Sequence, residues 1–287
     1  MSIINPKTIY TISKKEFLDN IRNRWIILLT VIFIILIIAF SYVAGGGGEN
    51  VFGDMEASVT AMMGISSLLI PLIAIILGFS TISGEAESGA LYVVLSYPVR
   101  RIEVLLGKLL GLGSVIIVSI LLGFGFGGLV IALTTGTSSW AGYIGFIFLS
   151  IFLGFIYLSL AICISSYCKR RITSIGGGIV IFFWSMIYGT VMLALLYAAG
   201  HSLEGFLKGE SIPEWFFNSA VFSPADMHQT AVYRVFDQSA VTFGAGGGIS
   251  SFAIPDFLSL GNVLFAHFVW FIIPLVFAYL FFKRRDI

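Results

Sequence analysis

Along the whole chain, long runs without a single charged residue alternate with short charged stretches. Six runs free of Asp, Glu, Lys and Arg are long enough to cross a bilayer: Ile26–Val43, Met62–Ile82, Leu109–Leu133, Tyr143–Ser166, Ile175–Ala198 and Val263–Phe282. A hydrocarbon core of about 30 Å takes roughly 20 apolar residues in helical form. None of the runs alternates in polarity as the roughly ten-residue strands of a membrane barrel do. The pattern therefore predicts an all-α integral membrane protein with six transmembrane helices. The first run is too long for the core of a signal peptide and follows a charged segment, so it reads as a retained span.

The polar stretches have patterns of their own. Over residues 5–24, Tyr10, Phe17, Leu18 and Ile21 share an arc of about 100° on a helical wheel. Lys15, Asp19, Arg22 and Asn23 lie opposite, and Lys14 can snorkel from the apolar edge. This predicts an N-terminal amphipathic helix on the inner membrane surface, with Tyr10, Lys14, Lys15, Phe17 and Ile21 as its interface residues. Residues 83–108 form a second patterned stretch. Leu91, Val94 and Leu95 recur at helical spacing, and Pro98 ends that helix because the residue before proline avoids the helical region. A second short helix should then lead to Lys108 and the third span. Residues 199–262 are too many for a structureless connection. Their aromatics, Trp215, Phe216, Phe217, Phe222 and Tyr233 among them, predict short helices at or dipping into the outer interface. The glycine runs Gly45–Gly48 and Gly244–Gly248 read as flexible, and the connection around Gly136 as a tight turn.

Composition agrees with a membrane protein. Of 287 residues 58% are hydrophobic and 11% charged, where a soluble domain carries about a quarter charged. A net charge of +1 gives no handle for nucleic acid. The placement of charge says more than its sum. Fourteen of the 16 Lys and Arg residues fall before the first run, after the second, after the fourth and after the sixth, leaving only Lys208 and Arg234 for the other side. Basic residues stay on the cytoplasmic side, so both termini are expected there and residues 199–262 outside.

Several classes of chemistry are disfavoured. The spans contain no carboxylate, and His267 is their only ionisable imidazole. An ion-coupled carrier ordinarily needs carboxylates at depth. There is no phosphate-binding G-x-x-x-x-G-K-[ST]: Gly107-Lys108 is followed by Leu109. No H-E-x-x-H or G-x-S-x-G occurs, and His201, His228 and His267 are scattered, so no enzyme and no catalytic residue is expected. Asp226 and His228 could in principle share a metal, but two potential ligands so close in sequence arise by chance, and no metal site is assigned. Cys163 and Cys168 read as small packing residues. The pairs Gly107/Gly111 and Gly123/Gly127 suit close helix approach.

The segment after the second run carries a resemblance. Glu85-x-Glu87-x-Gly89-Ala90-Leu91, Leu95-Ser96-x-Pro98-Val99-x-Arg101 and Gly107-Lys108 resemble the signature of ABC transporter type-2 permeases, the membrane subunits of ATP-driven exporters. Gly89-Ala90 stands where that family usually has Gly-Thr. Phe222-Ser223-Pro224-x-Asp226, with Tyr233-Arg234 downstream, is similar to an N-P-x-[DE] segment in the branch related to nitrous-oxide-reductase maturation permeases, with Ser223 in the asparagine position. The likeness covers the whole chain, down to the Lys283-Arg284-Arg285-Asp286-Ile287 ending.

The resemblance implies a permease subunit in a prokaryotic plasma membrane, working with a second permease copy, identical or related. It implies a separate ABC ATPase subunit that holds ATP and Mg²⁺, with no cofactor in this chain. It also implies ATPase-coupling residues: Glu85, Glu87 and Gly89 shaping the elbow, Pro98 ending its helix, and Arg100, Arg101 and Lys108 positioning it at the headgroups. Those bases also read as topology signals alone. The uncharged spans suit an apolar or amphiphilic cargo, whose identity and binding residues the chain does not state. Two other readings stay open: a non-transporting scaffold that helps assemble an extracytoplasmic accessory protein, and an ion-coupled carrier.

Overall fold

The computed structural model describes residues 5–44, 55–134, 140–201, 213–236, 240–242, 251–253 and 255–285. The runs Gly45–Gly48 and Gly244–Gly248 and the turn at Gly136 lie outside them. In chain order the helices are α1 (Pro6–Ile21), α2 (Arg24–Ala44), α3 (Met55–Gly78), α4 (Ser83–Glu87), α5 (Ala90–Ser96), α6 (Arg101–Thr134), α7 (Trp140–Tyr167), α8 (Arg171–Ala198), α9 (Glu214–Asn218), α10 (Pro224–Val235) and α11 (Leu260–Arg284). Six of them, α2, α3, α6, α7, α8 and α11, are long and apolar enough to cross a membrane. Two three-residue strands, β1 (Ala240–Thr242) and β2 (Ser251–Ala253), pair antiparallel with Val241 opposite Phe252. Nothing in the hydropathy pattern predicts that ribbon.

The bundle is built around α7, which packs against α3, α6, α8 and α11 and takes α10 across its far end. Large side chains fill this middle: Phe33, Phe124, Phe146 and Tyr157 are all fully buried. The Phe33, Phe124 and Phe146 rings follow one another, the first pair edge-on and the second tilted, at centroid separations of 5.4 and 4.6 Å. Helices α2, α8 and α11 turn most of their apolar surface outward, as lipid-facing helices do.

The ends of two span helices, α3 and α6, differ most from the pattern's prediction. Helix α3 stops at Gly78, and a turn separates it from α4. Helix α6 begins at Arg101 and runs unbroken, so the expected second short helix of the elbow is the first two turns of the span helix itself. No proline or left-handed residue interrupts Arg101–Lys108, and Glu103 closes the new N-terminus by accepting from Arg100 N at 2.9 Å.

Helix α1 starts with Asn5 as its cap, accepting from Lys7 N at 3.0 Å, and with Pro6 in the first turn. It does more than rest on a surface. One face is seated on the start of α6 at Gly107 and Gly111. A Cβ at Gly107 would come within 2.7 Å of Ile12, and one at Gly111 within 2.6 Å of the Glu16 Cβ. Glycine is required here because the two backbones approach this closely.

Candidate functional site

The end of the bundle that carries most of the basic residues contains a set of polar and charge contacts joining six helices, α1, α4, α6, α7, α8 and α11. At its centre Lys108, 2% exposed on α6, donates to Glu16 Oε1 on α1 at 2.8 Å and pairs with Glu85 Oε1 on α4 at 2.7 Å. Two carboxylates share one ammonium, which leaves one negative charge over, and Glu85 Oε2 is buried without a partner. Lys15 stands next to this excess and bonds Asp19 at 3.4 Å. Burial works against the Lys15 ammonium, but Glu16, Glu85 and Asp19 outweigh it and hold its pKa above the usual lysine value.

Around this centre the other elbow residues hold helix ends. The two first-turn donors of α4, Ile82 N and Ser83 N, both reach Ser165 Oγ on α7 at 3.0 Å. Glu87 Oε2 accepts from Arg171 N at 2.7 Å and so caps α8, where a carboxylate meets the positive end of the helix dipole. Ser174 on α8 donates to Phe79 O in the turn before α4. Arg101 Nη1 donates to the carbonyls of Phe282, Lys283 and Arg285 at 2.5–2.9 Å, closing the C-terminus of α11. Arg285 in turn donates to Ser165 O at 3.3 Å and Lys169 O at 3.1 Å, closing α7. Glu103, 3% exposed, also accepts from Asn5 N at 2.8 Å and ties α1 to the head of α6.

The elbow's backbone follows its sequence. Gly89 sits at φ 79°, a left-handed conformation that separates α4 from α5 and that a side chain would strain. Tyr97 is extended ahead of Pro98, which ends α5. Tyr92, Val93, Tyr97 and Pro98 are exposed.

The sequence-derived coupling residues thus divide. Glu85 and Lys108 are brought together, while Glu87, from an exposed position, and Arg101 each fasten a separate helix end. Gly89 and Pro98 set backbone geometry, and half-buried Arg100 offers its backbone N–H to Glu103. On α1, Tyr10 remains 67% exposed, Lys14 and Lys15 exposed, and Phe17 and Ile21 half-buried. Sequence reasoning missed Glu16, Glu103, Ser165 and Arg285. One signal was available for Glu16: it follows Ile9 and Ile12 at helical spacing, on the face opposite the expected apolar arc.

The opposite end is assembled differently. Ser223 caps α10 by accepting from Asp226 N at 3.3 Å, with Pro224 in its first turn. Glycines at 142 and 145 on α7 leave room for Phe236 and Val235. Arg234 donates to Leu258 O and Pro255 O at 3.0 Å, and Trp270 donates to Val221 O at 2.8 Å. Inside this cover His228 is fully buried, 6.1 Å from the Phe146 ring centre, and neither of its ring nitrogens has a hydrogen-bond partner. Burial first, and His267 second, push its pKa down to about 3. His267 on α11 bonds Val263 O through Nδ1 at 2.8 Å and leaves Nε2 without a partner, as is Asp226 Oδ2. No group of three potential metal ligands converges among the described residues.

A bundle with six membrane-length helices and a charge-fastened elbow at one end defines a multi-pass α-helical membrane protein. The sequence profile of the ABC-2 family transporter proteins matches residues 10–287. The chain belongs to that family, as a transmembrane permease subunit of the ABC type. It is similar to the "Probable ABC transporter permease protein NosY" of Pseudomonas aeruginosa, 30% identical over 285 residues, covering 97% of this chain and 99% of that protein. It is also similar to the protein of the same description from Stutzerimonas stutzeri, 28% identical over 284 residues, covering 96% and 98%. Both belong to the branch that the Ser223-Pro224-x-Asp226 run points to.

Proposed function

We infer that this subunit forms half of the membrane part of an ATP-driven exporter, and that a separate ATPase, holding ATP and Mg²⁺, docks in the cytoplasm on the α4–α5 elbow. The observation that carries the reading is Lys108. One buried ammonium fastens α1, the elbow and the head of a span helix within 2.8 Å. Ser165 and Glu87 extend the fastening to α7 and α8.

A push on α5 would turn about Gly89 and reach α4. From α4 it passes through Glu85 to α6, through Ser165 to α7 and through Glu87 to α8. Buried ion pairs hold position firmly because separating them leaves a charge without solvent. Tyr92, Val93 and Tyr97 are the exposed surface on which the push would act. The direction of transport, outward, rests on the family resemblance. A second permease copy completes the path, on some part of the outward apolar surface to which Phe183, Trp184 and Ile187 of α8 contribute. Both termini lie in the cytoplasm of a prokaryotic plasma membrane on this reading, because the basic end follows the positive-inside bias. The cover formed by α9 and α10 then faces out, where an accessory protein would meet it.

The test is co-purification from the native membrane by a tag after Ile287. The expected result is an ATPase with a phosphate loop at about one copy per permease, lost when Tyr92 and Tyr97 are both replaced by Ala without change in thermal midpoint. Recovery of the intact chain alone, at every detergent strength, removes the ATPase and with it the exporter. An ATPase retained equally by the double variant leaves the partner and moves its docking surface elsewhere.

A further inference from the structure

Beside the fasteners lies a cavity of about 420 Å³ between the ends of α7 and α11 and the elbow. Its walls include Glu87, Tyr92, Tyr167, Lys169, Arg284 and Arg285. We propose that this cavity seats the phosphate headgroup of an anionic phospholipid from the inner leaflet. The inference rests on the cytoplasmic placement of the basic end proposed above, and holds whether or not an ATPase docks on the elbow.

Charge is the first argument. Three bases and one acid line the cavity. Two of those four groups are already engaged: Arg285 on the α7 carbonyls and Glu87 on Arg171 N. Helix C-terminal ends would ordinarily repel an anion. Here the last carbonyls of α7 are taken by Arg285 and those of α11 by Arg101, so their negative ends are already answered. Lys169 and Arg284 are exposed and have no ion pair among the described residues. They form the surplus of positive charge at the mouth.

Placement is the second. The cavity opens where two span helices, α7 and α11, end, which in a bilayer crossed by those helices is the headgroup region. Tyr167 and Phe281 pair there at 5.1 Å, an aromatic wall of the kind that borders the hydrocarbon. Basic pockets between span helices on the cytoplasmic side take anionic headgroups. Free inorganic phosphate has the same charge chemistry but uses neither the aromatic wall nor most of the volume. Because Glu87 and Tyr92 belong to the elbow and the other walls to α7 and α11, a seated headgroup touches both sides and restrains the elbow's movement.

The full chain in neutral detergent is titrated with short-chain phosphatidylglycerol, short-chain phosphatidylcholine and inorganic phosphate, with binding read by native mass spectrometry. Phosphatidylglycerol should bind about tenfold or more tightly than phosphatidylcholine, and Lys169→Gln with Arg284→Gln should erase the difference. Both side chains are exposed, so the thermal midpoint in phosphatidylcholine should not move. If it does, each single variant is titrated alone and should lose part of the preference. Equal binding of the two lipids, or a preference that survives loss of both bases, overturns the proposal. Displacement of phosphatidylglycerol by an equal concentration of inorganic phosphate assigns the cavity to the soluble ion and overturns the lipid.

Discussion

The two ends of the bundle treat buried polarity in opposite ways. At the basic end the buried and half-buried charged groups meet partners, mostly from other helices: Lys108 has two carboxylates, Glu103 accepts from Asn5 N and from Arg100 N, and Arg101 meets three carbonyls, with Glu85 Oε2 the exception. At the far end His228 sits fully buried with neither ring nitrogen bonded, beside the free Nε2 of His267 and the free Oδ2 of Asp226. A satisfied buried network resists displacement, while each unmet buried donor or acceptor costs about 1–3 kcal/mol. The basic end is therefore organised to move as a unit. The far end is held by apolar packing and by the Arg234 and Trp270 hydrogen bonds, against an internal polar cost around His228, and is the end from which an opening demands least. For a transporter driven from one side, this places the stiffness where force enters and the compliance at the far end.

The sharpest way to break the contrast is Lys108→Met. Removing the ammonium leaves Glu16 and Glu85 facing one another with only the exposed Lys15 nearby, and breaking a buried pair in this way costs about 3–5 kcal/mol. A thermal midpoint in detergent close to the unaltered chain's would show that the centre is not held by this pair. Adding Glu85→Gln to Lys108→Met should recover part of the loss, because one fewer carboxylate is stranded. Next in size is Arg101→Ala, which frees three carbonyls at the end of α11. Charged hydrogen bonds contribute about 1.5–3 kcal/mol, so loss should fall in that range. Hydrogen exchange should show fraying confined to the last turn of α11, and unchanged protection there would remove Arg101 from the fastening.

How much of this is visible in the chain depends on the reach of each interaction. Spans are legible because a charge-free run of some twenty residues admits few structures besides a membrane helix. Gly89 and Pro98 are legible because they constrain their own backbone. Lys108 is legible as a member of a motif, but its partners are not: Glu16 stands ninety-two positions away and Arg101 meets Arg285 across 184. No local pattern carries such pairings. The expected apolar arc of α1 shows one face, with Tyr10 and Leu18 outward, and misses the face on which Ile12 and Glu16 dock. The continuity of α6 from Arg101 is not legible, because charges ahead of a span read as a separate short helix rather than as the span's own first turns. His228 and His267 look scattered in sequence and meet only because α10 folds back over α7 and α11.

The far end should show its cost through pH. An unfolded histidine titrates near 6.5, whereas burial holds His228 at about 3 in the fold. Above pH ~6.5 both states are neutral and nothing is lost. Below it the unfolded chain gains a proton that the folded chain refuses, so stability falls as pH drops towards 3. From pH 7 to pH 5 the loss is about 2 kcal/mol, read as a lower thermal midpoint. The titratable group that bears on His228 is His267 from α11, and the Phe146 ring of α7 beside it is uncharged. Asp226 works in the other sense: burial raises its carboxyl, against the bond from Ser223, so the fold takes that proton first and regains some stability at the acid end. A midpoint unchanged between pH 7 and pH 5 would mean that His228 is not held neutral by burial.

His228→Phe makes the smallest change and separates the two ends most cleanly. Phenylalanine keeps a flat ring beside Phe146, at a spacing of 6.1 Å that suits an aromatic pair. It replaces both unbonded nitrogens with carbon, so the desolvation cost disappears while the packing stays. The expected result is a gain of about 1 kcal/mol at pH 7, together with loss of most of the fall between pH 7 and pH 5. Polar-to-apolar replacement at a satisfied site would do the reverse, as Lys108→Met does at the basic end. If His228→Phe lowers the midpoint at pH 7, the imidazole is bonded after all, and the two ends are stiffened alike. If it raises the midpoint but the acid loss persists, the proton-sensitive group lies elsewhere, and the compliance of the far end rests on apolar packing alone.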